Sequence, residues 1–198
     1  WLARGGELLL PTSALALVGR HNALNALAAL ALVASIARIR QPVLDALRAF
    51  RGLPHRMESV GEANGVLFVN DSKATSVAAT EVALAGLGRP VVLIAGGDAK
   101  GQSFAPLRGA VDASCRAVLL IGRDAPDVAR GLAGATPPVE TVGTLDAAVA
   151  RALAVARAGD VVLLSPACAS LDQFANYEAR GERFRALVRE RAGEALRA

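Results

Sequence analysis

Apolar positions follow two regimes along the chain, with a change of pattern near residue 52. Residues 2–19 read as short strands, because GELLLP and ALALVG are apolar runs bounded by turn residues. His21 and Asn22 open a long Ala/Leu helix reaching to about Ile39, and Pro42 starts a second that runs through Phe50. Arg51-Gly52-Leu53-Pro54 predicts a hinge, since Gly and Pro together interrupt helices and strands alike. Past it, segments over 55–62 and 66–70 flank Asn64-Gly65, a pair that tolerates the positive φ of a type I′ hairpin turn. Strand and helix then alternate. Helices are predicted over 77–87, 104–111, 126–132, 145–156 and 182–196, and strands over 91–95, 117–121, 139–142 and 161–164.

Short, continuously apolar strands separated by helices imply a mostly parallel sheet with right-handed crossovers. The fold class is therefore α/β, with a doubly wound, Rossmann-like domain over 53–198. Residues 1–52 hold too few elements to fold alone and read as the end of a preceding domain. In open sheets of this kind ligands bind at the carboxyl ends of the strands. Three polar clusters fall there: Asn70-Asp71-Ser72-Lys73, Gly96-Gly97-Asp98-Ala99-Lys100 and Ser165-Pro166-Ala167.

Composition narrows the function classes. A formal charge of +4 is spread among acidic residues without a basic block, and the aromatics are one Trp, one Tyr and five Phe, so nucleic acid is not an expected partner. The longest apolar run, 23–37, is broken by Asn25 and Ser35 and is shorter than the roughly 20 residues a membrane span needs. It predicts a buried helix, and no membrane partner. Cys115 and Cys168 stand singly in strand-like surroundings, which fits a reducing, cytoplasmic setting better than a disulfide framework. The chain opens at Trp1 directly in strand-like sequence and reads as part of a longer protein.

The chemistry is carried by four segments. Asn22 alone reads as well as a helix cap, but Asn25 shares its helical face, and paired carboxamides suit an adenine edge. Arg56 and Asp71 read either as a surface ion pair or as a ribose-and-phosphate site, with the carboxylate accepting from a diol and the guanidinium taking phosphate. Lys73 and Thr75 precede a helix start, where free N–H groups favour anions. Gly96, Gly97 and Gly101 leave room for close backbone approach to a ligand beside Lys100, although no Walker A loop occurs. Ser170, after the last strand, offers a hydroxyl and an N–H to a carboxylate. Cys168 makes a poor nucleophile, because His21 and His55 belong to other segments.

Taken in order, GRHNALNALAAL, GLPHRME, VNDSKATS, GGDAKG, LLSPACASLDQF and NYEARGERF resemble the Mur ligases over nearly the whole chain, and NDSKAT resembles the D-glutamate-adding branch. Ser76, Gln102-Ser103 and Tyr177 depart from the family pattern, which more often has Asn, an acidic residue and Phe there. The resemblance implies a three-domain ATP-dependent ligase adding D-glutamate to UDP-N-acetylmuramoyl-L-alanine through an acyl phosphate. Residues 1–52 would be the tail of its central ATP-binding domain. Mg²⁺, a P-loop and the metal ligands would belong to upstream sequence, and the enzyme would act as a monomer. Asn22 and Asn25 would hold adenine, and Arg56 and Asp71 the ribose and phosphates. Lys73 and Arg56 are the cations expected to act in catalysis. Thr75, Lys100, Ser170, Leu171 and Tyr177 would bind the acceptor, Tyr177 through its backbone N–H. The alternatives are another ligase of the same architecture, such as a folylpolyglutamate synthase, and a non-catalytic nucleotide-binding domain.

Overall fold

The computed structural model describes residues 1–17 and 20–195. It opens with a hairpin, β1 (Leu2–Arg4) against β2 (Glu7–Leu10), followed by a 3₁₀ turn at Thr12–Ala14. The expected strand over ALALVG is not formed in its described part, because Pro11 ends the hairpin and the chain coils toward the next helix; Val18 and Gly19 lie outside the described residues. Helices α1 (Arg20–Ile36) and α2 (Gln41–Ala49) follow, the latter with Pro near its first turn. These elements share a small core of Leu2, Leu10, Ala26 and Leu30.

After coil and turn over 50–57, β3 (Glu58–Ala63) and β4 (Val66–Asn70) form the expected hairpin. Asn64 and Gly65 take φ of 51° and 73°, the pair of positive values that a type I′ turn requires. Then come α3 (Val77–Leu87), β5 (Val91–Gly96), α4 (Leu107–Ser114), β6 (Cys115–Ile121), α5 (Ala125–Gly131), β7 (Val139–Gly143), α6 (Leu145–Val155), β8 (Val161–Leu164) and α7 (Tyr177–Ala195). The last helix begins five residues earlier than expected, at Tyr177, while the expected end at Leu196 lies outside the described residues.

The sheet runs β3-β4-β8-β5-β6-β7, and only β3 is antiparallel to its neighbour. Alternating side chains divide the core into two layers. Val91, Leu93 and Ala95 of β5 face α3, α4 and α5, whereas Val92 and Ile94 face α6 and α7. With both faces covered, β5 and β8 are buried along their whole length, which is why their sequences read as unbroken apolar runs. β8 lies between β4 and β5, yet it continues to α7 on one face while its neighbours continue to α3 and α4 on the other. The winding therefore reverses at β8, and a crevice opens at the carboxyl ends of β4, β8 and β5. Among the described residues no helix is long and apolar enough to cross a membrane.

Candidate active site

A cleft of about 280 Å³ lies where α1 packs against α3 at this rim, near the low end of small-molecule sites (roughly 300–1,000 Å³). Asn22, Asn25, Arg56, Asp71 and Lys73 all line it, with Met57, Ala79 and Val82 among its apolar walls. α1 begins at Arg20, so Asn22 sits inside the first turn and is not the cap. Asn25 Nδ2 donates to Asn22 Oδ1 at 3.4 Å, which orients the two carboxamides together.

Asp71 is nearly buried. Its Oδ1 accepts from the Met57 N–H at 3.2 Å and its Oδ2 from Ser165 Oγ at 2.9 Å. Burial pushes its pKa up to about 6, against the pull of the two hydrogen bonds and, more weakly, of the Arg56 charge. Arg56 thus acts on it through space, and the ion pairs among the described residues do not include one between them. At neutral pH the carboxylate is largely ionised, with lone pairs left for a donor entering the cleft. The turn that carries Arg56 is locked to β4's outgoing loop. The Lys73 N–H donates to the His55 carbonyl at 3.0 Å, and His55 and Met57 take positive φ of 62° and 47° on either side of Arg56. His55 is itself fixed by Asn70, whose Nδ2 lies 3.0 Å from His55 Nδ1.

The other expected residues lie along the rim beyond this cleft. Thr75 and Lys100 are exposed, Ser170 is buried, and Leu171 is exposed. Tyr177 does more than offer a backbone group. Its ring lies under Lys73, whose Nζ is 4.1 Å from the ring centroid, and its carbonyl accepts from Ser72 Oγ at 2.8 Å. Helix α7 therefore reaches the lysine that lines the cleft. Gly97 corrects an expectation: its space is taken by backbone and is not open to a ligand. With φ of +133°, a Cβ there would stand 2.2 Å from the Ala169 carbonyl oxygen, because Asp98 and Ala169 form a two-way backbone bridge joining the β5 and β8 loops. Cys168 is fully buried and its thiol is pushed up to about 12, mainly by desolvation, so it stays protonated and inert.

Two groups escaped the sequence reading. Arg180 is fully buried and donates to Ser72 Oγ, to the Ser72 carbonyl and to the carbonyls of Cys168 and Ala169 at 2.9–3.1 Å. It ties the β4 and β8 loops together from beneath, and its charge is held by neutral acceptors. Asp124, after β6, accepts from the Ala99 N–H at 2.8 Å and anchors the loop that carries Lys100. Nothing in an Arg inside NYEARGERF, or an Asp after GR, distinguishes these from solvated charges.

Two carboxamides, a buried carboxylate and two cations around one cleft complement a base, a diol and an anionic tail. Beside them is a rim with a further cation, hydroxyls and backbone donors, suited to a small acid. Residues 55–168 match the family model described as Mur ligase, glutamate ligase domain. The chain is 53% identical over 189 residues to a UDP-N-acetylmuramoylalanine–D-glutamate ligase of Nitrosomonas europaea, covering 96% of this chain and 40% of the relative. It is 56% identical over 191 residues to the protein of the same name from Aromatoleum aromaticum, covering 96% of this chain and 41% of the relative. The chain spans about two fifths of the length of these curated relatives. Among solved structures it is similar in fold to a UDP-N-acetylmuramate-alanine ligase of Thermotoga maritima, with a TM-score of 0.64 at 18% identity over 96% of this chain and 42% of that one. A Mycobacterium tuberculosis folylpolyglutamate synthase complexed with ADP gives a TM-score of 0.64 at 19% identity, over 86% of this chain and 41% of that one.

Proposed function

This chain belongs to the Mur ligase family, and we propose that it is the acceptor-binding and nucleotide-closing part of an ATP-dependent ligase that joins D-glutamate to UDP-N-acetylmuramoyl-L-alanine in peptidoglycan precursor synthesis. The observation that carries the reading is the convergence of Asn22, Asn25, Arg56, Asp71 and Lys73 on one cleft, from segments far apart in sequence. On this reading residues 1–52 are the tail of the central ATP-binding domain and 53–198 the C-terminal domain.

The carboxamides of Asn22 and Asn25 hold the adenine edge. Asp71 accepts from the ribose hydroxyls, and Arg56 binds the ribose or phosphate oxygens through its fork of donors. Lys73, resting on the Tyr177 ring, stands between nucleotide and acceptor and stabilises the charge that spreads as phosphate is transferred and released. Thr75 and Lys100 take the α-carboxylate of D-glutamate. Ser170, with the backbone at Leu171 and Tyr177, takes the γ-carboxylate and leaves the amine free to attack an acyl phosphate. The protein's part is positioning and electrostatics. Magnesium, if used as in the family, belongs with residues elsewhere in the whole ligase, which acts as a cytoplasmic monomer. Among the described residues here no cluster of three His, Cys, Asp or Glu side chains could hold a metal.

Phosphate release by the whole ligase, with UDP-N-acetylmuramoyl-L-alanine and a panel of D- and L-amino acids, tests the reading. D-Glutamate should drive release and D-glutamine, which lacks the γ-charge, should not. Equal rates with D-glutamine would sink the acceptor assignment, and a preference for L-glutamate would favour the folylpolyglutamate synthase-like alternative.

A further inference from the structure

Gln102 is a residue to which the reading above gives no part, yet its side chain joins all three ligand-bearing loops. Its Oε1 accepts from the Val77 N–H at 3.2 Å, at the start of α3, and its Nε2 donates to the Ala167 carbonyl at 2.6 Å, in the loop after β8. Ala167, held at a positive φ of 57°, donates its own N–H to the Ala74 carbonyl at 3.0 Å. A closed circuit results: Ala74, Ala167, Gln102 and Val77 are linked by three hydrogen bonds, and the chain from Ala74 to Val77 completes it. Thr75 and Ser76 are the two residues enclosed.

The same residue also ends the loop carrying Lys100. The Gln102 N–H donates to the Ala99 carbonyl at 3.2 Å, and the Lys100 N–H to Asp98 Oδ1 at 3.2 Å, so Lys100 sits on a short turn with Gln102 as its far post. Thr75 and Lys100 come from different strand ends, and Gln102 is the side chain that spans between them. The circuit needs one acceptor and one donor on the same planar group, which a carboxamide has. A carboxylate has no donor for Ala167, and an apolar side chain has neither.

We infer that Gln102 is a positioning residue that fixes the spacing of Thr75 and Lys100, and through them the fit of the acceptor's carboxylate; this rests on the acceptor reading given above. The side-chain contacts of Gln102 are to the backbone of the loops, and it is none of the residues assigned above to either substrate. A change there therefore alters acceptor affinity while the nucleotide cleft, lined by other side chains, keeps its own.

The test is steady-state kinetics of the whole ligase carrying Gln102→Met, Gln102→Glu or Lys100→Ala, with KM for D-glutamate and for ATP measured separately. Gln102→Met should raise the D-glutamate KM about five- to tenfold, the effect of losing one or two neutral hydrogen bonds, with the ATP KM within about twofold of its starting value. Gln102→Glu keeps the acceptor for Val77 but sets two oxygens against each other at Ala167, and should raise it further. Should the Met variant fold poorly, the Glu variant provides the same readout. If Lys100→Ala raises the D-glutamate KM and neither Gln102 variant does, the positioning role is wrong and the acceptor reading stands. If a Gln102 variant shifts both KM values equally, the residue is merely structural and the inference fails. If Lys100→Ala leaves the D-glutamate KM unmoved, the acceptor reading falls and this inference with it.

Discussion

Asp71 holds a negative charge where burial opposes it, and that opposition has a measurable sign. Its pKa stands at about 6 in the folded chain against an ordinary 3.8, so the native state binds its proton more tightly than the unfolded state does. Stability from this group is fullest below the unfolded value and is lost as pH rises toward about 6, leaving a penalty at neutral pH. Asp71→Asn should therefore stabilise the chain at pH 7.5, by about 1–3 kcal/mol at most. The Asn oxygen keeps the Met57 contact, and the Ser165 hydroxyl turns to accept from its amide. Thermal melts of both forms across pH 4–8 would show the gap closing toward pH 4; a gap independent of pH would refute the cause. Under the proposed function the same charge is the acceptor that a ribose diol would meet. That Asp71 and Lys73 would stand at a strand end was legible in the sequence, because polar residues directly after an apolar strand have few packing explanations; Arg56, in the turn before β3, carries no such signal. Nor does Arg180, since one Arg among several in a closing helix gives no sign of being the buried one.

At the scale of elements, the rim is an assembly of loops rather than of strands. Strand bounds came within a residue or two of the hydrophobic pattern for β4, β5 and β8, because full burial on both faces leaves little freedom in which residues are apolar. The strand expected over ALALVG failed for the opposite reason: five apolar residues in a row also suit a coil that packs on a helix, and periodicity cannot separate the two. What binds the loops, Arg180 from beneath and the Asp98–Ala169 bridge at the side, consists of long-range hydrogen bonds that no local pattern encodes. Arg180→Met leaves the Ser72 and Cys168 carbonyls without their guanidinium donor, while the Ala169 carbonyl keeps the Asp98 N–H, and it relieves a desolvated charge. The unsatisfied acceptors dominate, and the variant should lose about 2–4 kcal/mol in denaturant unfolding. A loss below about 0.5 kcal/mol would mean that water replaces the guanidinium and that the hub is not needed.

For the whole molecule, the two layers around the sheet form a core separate from the small one under α1 and α2, with the coil and turn over 50–57 between them. A chain of residues 53–198 should accordingly melt cooperatively; a broad transition would show that α1 is needed to cover α3. Joining the two parts, the cleft takes Asn22 and Asn25 from one side of that segment and Asp71 and Lys73 from the other, so nucleotide binding should draw them together. Thr75, Lys100, Ser170, Leu171 and Tyr177, the residues proposed for the acceptor, lie wholly on the later side. That division is the central claim, and one crossed measurement in the whole ligase tests it: KM for ATP and for D-glutamate in Asp71→Ala and in Lys100→Ala. Asp71→Ala should raise the ATP value about tenfold or more, from lost charge-assisted hydrogen bonds of about 1.5–3 kcal/mol, with little change for D-glutamate. Lys100→Ala should do the reverse. If Asp71→Ala moved only the D-glutamate value, or if both variants moved both values alike, the division of the rim into a nucleotide side and an acceptor side would be wrong.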